Sequence, residues 1–213
     1  MAVTKWSNVA VAMQSALAAT KTITGITKAN PAVITSTSHG YANGDYVLLS
    51  VQGMYQMDVK IVRVAATATN TFQAEGVDST LFDTFSTGTA ALITFGTSIT
   101  TATSISASGG DFDFIDTTTI HGNVKTQIPG LPNPLNYTFD NLWDTSDAGQ
   151  IAMKVASDAQ AQRCFKFTFG TGGKIMLFSG YEGFAGAPTG NAQDVVKSPA
   201  AITAYGTPTY YAS

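Results

Sequence analysis

Residues 164–179 read CFKFTFGTGGKIMLFS, and this stretch decides the class of fold. Side chains alternate across an extended chain, so Phe165, Phe167 and Phe169 take one strand face and Cys164, Lys166 and Thr168 the other. Gly170, Thr171, Gly172 and Gly173 then reverse the chain, and Lys174, Ile175, Met176, Leu177, Phe178 and Ser179 return as a second strand. This is a β-hairpin with a phenylalanine face that only a sheet-built core can bury. A phosphate loop is excluded, because it requires four residues between its glycines and a helix after the lysine.

Working towards the N-terminus, residues 145–162 form the one convincing helix. Asp147 with Gln150 three residues later resembles a capping box, and Ile151, Val155 and Ala159 repeat as an apolar stripe expected to face the sheet. Residues 135–139 alternate as a strand. Residues 129–134 (PGLPNP) read as irregular, since proline lacks the N–H a ladder needs. Residues 124–128 and 112–116 read as strands, the latter with Phe112 and Phe114 inward and its acidic residues in solvent. Ser108, Gly109, Gly110 and Asp111 form a flexible break after a Thr/Ser-rich strand at 99–105. On the C-terminal side, residues 187–190 are a loop and residues 199–205 lead into a Thr/Tyr-rich tail.

The first half of the chain has its own regular punctuation. Strands at 32–35, 46–51, 59–64 and 72–74 are separated by turn signals, among them Asn43-Gly44-Asp45, whose first two residues tolerate positive φ. Val59, Ile61 and Arg63 are expected to share one face. Strands roughly 8–12 residues apart indicate a small all-β unit over residues 23–95. Before it, Val9, Val11 and Met13 line one face of a strand that runs into a loop. No low-complexity linker divides the chain, so the unit is inserted into a larger one rather than strung beside it.

Composition narrows the function classes. Of 213 residues, 44% are hydrophobic and only 12% charged, which excludes a disordered chain. The net charge of −3 provides no basic footprint for a phosphate backbone. The single cysteine, Cys164, excludes an intrachain disulfide and every Cys-rich zinc pattern. No apolar run reaches the roughly 18 residues of a membrane span, and residues 1–15 do not read as a secretory leader. An uncharged, Thr-rich surface favours contact between copies, because charge is costly to desolvate at an interface centre.

Residues that could carry chemistry are few. His39 and His121, the two histidines, both flank glycines at turns, and no Gly-x-Ser-x-Gly elbow presents a nucleophile to either. Asp111, Asp113 and Asp116 are the densest acidic group. Asp111 and Asp113 would lie roughly 7 Å apart on one strand face, but a glycosidase pair faces across a cleft. A calcium loop lacks its glycine and terminal glutamate. The reading is therefore no catalytic residue, no cofactor and no metal.

Two ordered sets of residues carry a family resemblance. Asp116-Thr117-Thr118-Thr119, Gln127-Ile128-Pro129-Gly130-Leu131, the helix after Trp143-Asp144, Phe165–Phe169 and Phe178-Ser179-Gly180-Tyr181 resemble, in that order, the tail tube (major tail) proteins of long-tailed bacteriophages over residues 97–210. Residues 22–95, from Ile23-Thr24-Gly25-Ile26-Thr27 through Asn43-Gly44-Asp45, resemble a small β module of phage tail proteins related to a ubiquitin-activating-enzyme domain, with no ubiquitin chemistry implied. The resemblance implies a mainly β protein: a β-sandwich or barrel (residues 1–21 and 96–213) with one flanking α-helix and the module at 22–95 inserted; the module's own turn-separated strands lead us to expect it on the outside of the tube rather than in its wall. The resemblance also implies hexameric rings stacked into a tube in the virion tail, assembly in the host cytoplasm, contacts with a tape-measure and other tail proteins, and no membrane. Double-stranded DNA would pass without specific binding, and the members are not enzymes. Carried over with it, a loop containing Ser104, Ala107, Ser108, Gly109, Gly110, Asp111 and Asp113, with both termini, is expected to join ring to ring. The competing reading is a β-rich decoration or a receptor- or carbohydrate-binding module of a phage tail.

Overall fold

The computed structural model describes residues 8–170 and 173–212. Thr171 and Gly172 of the glycine-rich reversal, and residues 1–7 and 213 of the termini, lie outside the described residues. The protein is mainly β with one described α-helix. No described helix is long and apolar enough to cross a membrane.

The strands in chain order begin with β1 (Val9–Met13), β2 (Ala16–Leu17), β3 (Lys21–Ile23), β4 (Gly25–Ile26) and β5 (Ala32–Thr35). Next come β6 (Tyr46–Gln52), β7 (Ile61–Ala65), β8 (Thr71–Ala74), β9 (Thr87–Thr94) and β10 (Thr97–Ile99). β11 (Ala102–Ser108), β12 (Phe112–Asp116), β13 (Gln127–Pro132) and β14 (Asn136–Leu142) precede helix α1 (Ala148–Asp158). β15 (Gln162–Phe169), β16 (Ile175–Phe184) and β17 (Lys197–Tyr211) complete the chain.

A seven-stranded antiparallel sheet, in the order β10-β1-β15-β16-β17-β14-β11, curls into a half-barrel. The hairpin at 164–179 is its centre: Phe165 pairs with Phe178 and Phe167 with Met176. Those side chains pack with Val11, Met13, Tyr137, Phe139 and Ile202, and Met153 of α1 closes the cluster. Aromatic contacts tie it together, with Tyr137 and Phe178 stacked at 4.7 Å.

Residues 16–94 supply a second, eight-stranded sheet with its own core of Ile34, Val47, Leu49, Val62, Val64 and Phe72. The two sheets share a third cluster. Ile61 and Ile93 from one side meet Cys164, Leu177 and Tyr211 from the other. The Tyr211 hydroxyl accepts the Arg63 N–H at 2.7 Å, and the Arg63 guanidinium lies 4.6 Å from that ring while bonding both oxygens of Glu75. Lys166 sits over the rings of Tyr46 and Phe95 at the same junction.

Several local expectations are corrected. Val59 lies outside the strand at φ +50°, and β7 is buried on both faces, with Val62 and Val64 in one cluster and Ile61 in the other. Ile61 and Arg63 do share the side facing Tyr211, but burial does not alternate because the strand has a core on each side. The strand expected over 99–105 is two, β10 and β11, on opposite edges of the half-barrel, so Thr100-Thr101 bridges its open seam. Helix α1 begins as the cap predicted, with Asp147 accepting the Gln150 N–H at 2.9 Å. Its buried face, however, is Gly149, Gln150, Met153 and Ala156, while Ile151 and Val155 face outward.

Candidate functional site

Among the described residues β12 and β13 pair only with each other, forming a two-stranded arm apart from both sheets. Sequence reading placed Phe112 and Phe114 inward. Both are exposed, as are Ile115, Ile120, Val124, Ile128 and Leu131, with Ile120 at 96% and Leu131 at 86%. There is no core beside the arm for these side chains to enter. A soluble monomer rarely carries so many contiguous large apolar groups in water, and a lone hairpin is marginally stable.

Residues 129–134 were read as irregular, yet β13 runs through Pro129 and Pro132. An edge strand tolerates proline where the missing N–H would face solvent or a bulge, and the register shifts between Phe112 and Phe114, opposite these prolines. At the far end of the arm the Thr117 N–H donates to the Thr126 carbonyl at 2.9 Å. Hydrogen bonds from Thr118 hold the exposed Asp116 carboxyl below its ordinary value, and Lys125 lies 3.7 Å away.

The residues singled out in the sequence divide between the arm's root and the strand that feeds it. Ser104 lies on β11, where its hydroxyl donates to the Asp140 carboxylate at 2.9 Å. Ala107 and Ser108 pair with Tyr137 and Asn136 on β14. Gly109 and Gly110 turn into the arm at φ +89° and +84°, and a Cβ at Gly109 would collide with the Pro134 carbonyl. Asp111 and Asp113 then meet Asn133, which sequence reading missed. The Asn133 N–H donates to the Asp111 carbonyl at 2.8 Å and its side-chain amide to the Asp113 carboxylate at 3.2 Å. The Asn133 carbonyl in turn accepts the Gly110 N–H at 3.1 Å. One asparagine thus ties both legs of the arm, which no spacing pattern signals.

A second unfinished feature lies at the half-barrel seam. Among the described residues the outer edge of β11 pairs with no strand, and Val9 and Ala10 of β1 extend beyond the reach of β10. Between them is a cleft of about 630 Å³, lined by Val9, Ile99, Thr103, Ser104 and Ile105. Unpaired backbone donors and acceptors on a strand edge are templates for pairing with another chain.

Neither histidine belongs to a site. His39 is buried, its Nδ1 accepts the Tyr41 N–H at 3.0 Å, and its Nε2 therefore carries the proton donated to the Ala68 carbonyl at 2.9 Å. His121 is exposed near the tip of the arm.

A family model described as phage tail tube protein matches residues 52–213. No curated protein matches the chain.

Proposed function

The chain belongs to the phage tail tube protein family, and from that premise we propose that it assembles as hexameric rings stacked into the conduit through which the phage genome is delivered. The family is structural rather than enzymatic, and its place is the tail of the virion. The observation that carries the finer reading is the arm, an apolar ribbon with no partner among the described residues of its own subunit. In this reading the arm and its root, residues 104–113, reach from one ring to the next. The seam edge of β11 meets a neighbour within the ring. Such head-to-tail contacts use two different patches on each subunit, and they close into rings or extend into filaments.

The remaining parts take roles consistent with this scheme. Residues 22–95 face away from the lumen as an inserted module. The tape-measure protein and other tail components are the hetero-partners, DNA passes without being held, and assembly takes place in the host cytoplasm. The test is negative-stain microscopy with native mass measurement on the purified protein. Six-fold rings or tubes are expected, and a stable monomer or trimer at high concentration would favour the decoration reading instead.

A further inference from the structure

Among the described residues Glu182 is the one buried carboxylate, and neither of its oxygens meets solvent or a hydrogen-bond partner. It lies on β16 between Phe178 and Phe184, and with a two-residue repeat it points to the same side as both, into the half-barrel core. Across the ladder it is opposite Ile202, which is opposite Tyr137. On its other flank β15 starts only at Gln162, opposite Tyr181, so the cover there comes from the C-terminal half of α1. Ser157 of that half accepts the Phe184 N–H on its hydroxyl at 3.0 Å.

Among the described residues no opposite charge is positioned to satisfy the carboxylate. The inward residues of α1 are Gly149, Gln150, Met153 and Ala156, while its Lys154 and Asp158 pair with each other on the exposed side. Arg163 of β15 shares the inner face, but its guanidinium donates to the Gln162 carbonyl at 3.3 Å. The β17 residues opposite are Ala201, Ile202 and Thr203. On β14 the Tyr137 hydroxyl contacts the Met176 sulfur. The C-terminal end of α1 presents the negative pole of its dipole, which also disfavours a second negative charge.

We propose that α1 is a pH-gated cover, held down while Glu182 is neutral and lifted from β16 when Glu182 ionises. On its β17 side Glu182 lies in a ladder unbroken from Ser179 to Phe184, whereas its other flank has no strand partner and α1 is an 11-residue helix held mainly by one packed face, so the helix is the element that gives way. Burial pushes the Glu182 carboxyl up from 4.5 to about 8 in the closed form, and lifting the cover returns it towards its ordinary value. The sign follows from linkage. Between these two values the open form has lost a proton that the closed form retains, so opening becomes about tenfold more favourable per pH unit and then levels off above about 8. The cover carries the outward Ile151 and Val155, so the same titration alters how that apolar face is presented.

Amide hydrogen exchange on the full chain tests this from pH 5 to 9, with rates corrected for intrinsic exchange. Protection of α1 is expected to fall about tenfold per unit up to pH 8 and then flatten, while the β16–β17 ladder stays protected. In Glu182→Gln the slope disappears. If that variant does not fold, Glu182→Met gives the same reading. A flat wild-type profile, or a slope that survives either substitution, overturns the proposal.

Discussion

Cys164 shows how one residue can be legible in the sequence and still mislead about its surroundings. Alternation within CFKFTF puts it on the face away from the phenylalanines, and the structure agrees. Cys164 itself is nevertheless fully buried, because the second sheet covers it, and no local pattern reports the arrival of a segment about 100 positions away. Burial raises the thiol to about 12. Native protein should therefore resist a thiol-directed maleimide and react only when the two sheets part, so the labelling rate under mild denaturant measures that opening. Rapid labelling of the folded protein would contradict the packing. Nearby, Tyr211→Phe removes the acceptor for the Arg63 N–H while keeping the ring under the guanidinium. The expected loss is about 1–2 kcal/mol in urea unfolding, the cost of leaving a partly buried donor unpaired.

At the scale of elements, sequence reading succeeded where one face of an element meets one core. The hairpin of β15 and β16, the strand at Val9–Met13 and the N-cap of α1 all follow from period, turn chemistry and capping. It failed where an element has two cores or none. β7 is buried on both sides, α1 carries apolar residues on both faces, and the arm displays apolar groups to water with neither described sheet against them. The arm's prolines misled for the same reason, since an edge strand obeys looser rules than a central one. Deleting residues 107–110 removes the end of β11 and the two positive-φ glycines at the arm's root, and it should stop tube growth while the half-barrel still folds. A milder probe is Asn133→Ala, which loses the side-chain bond to Asp113 but keeps the backbone pair, so slower polymerisation with unchanged melting is expected. Normal tubes from the deletion, by electron microscopy, would separate the root from assembly.

For the whole molecule, the inserted unit reads in sequence as separable, and that reading alone predicts that its removal, with residue 22 joined to 96 by a short linker, leaves a soluble core able to form rings. The shared cluster reverses that expectation. Removing residues 23–95 strips the cover from Cys164, Leu177 and Tyr211, all less than one-tenth exposed, and uncovers a broad apolar face on the half-barrel. Aggregation of the excised protein is the expected outcome, and a soluble, folded core would show that the junction contributes little. Charge distribution gives the last expectation. A conduit must let a polyanion slide, and each free lysine or arginine on its wall would hold phosphate through counterion release. Here the net charge is −3 and several cations are already engaged: Arg63 by Glu75, Lys125 by Asp116, Lys154 by Asp158 and Lys166 by two aromatic rings. Tubes assembled from this subunit should therefore show no measurable retention of duplex DNA even at low salt, where screening is weakest and a basic stripe would be most evident. Tight, salt-sensitive binding in a filter or mobility assay would instead mean that assembly breaks these pairs and turns the freed cations towards the lumen.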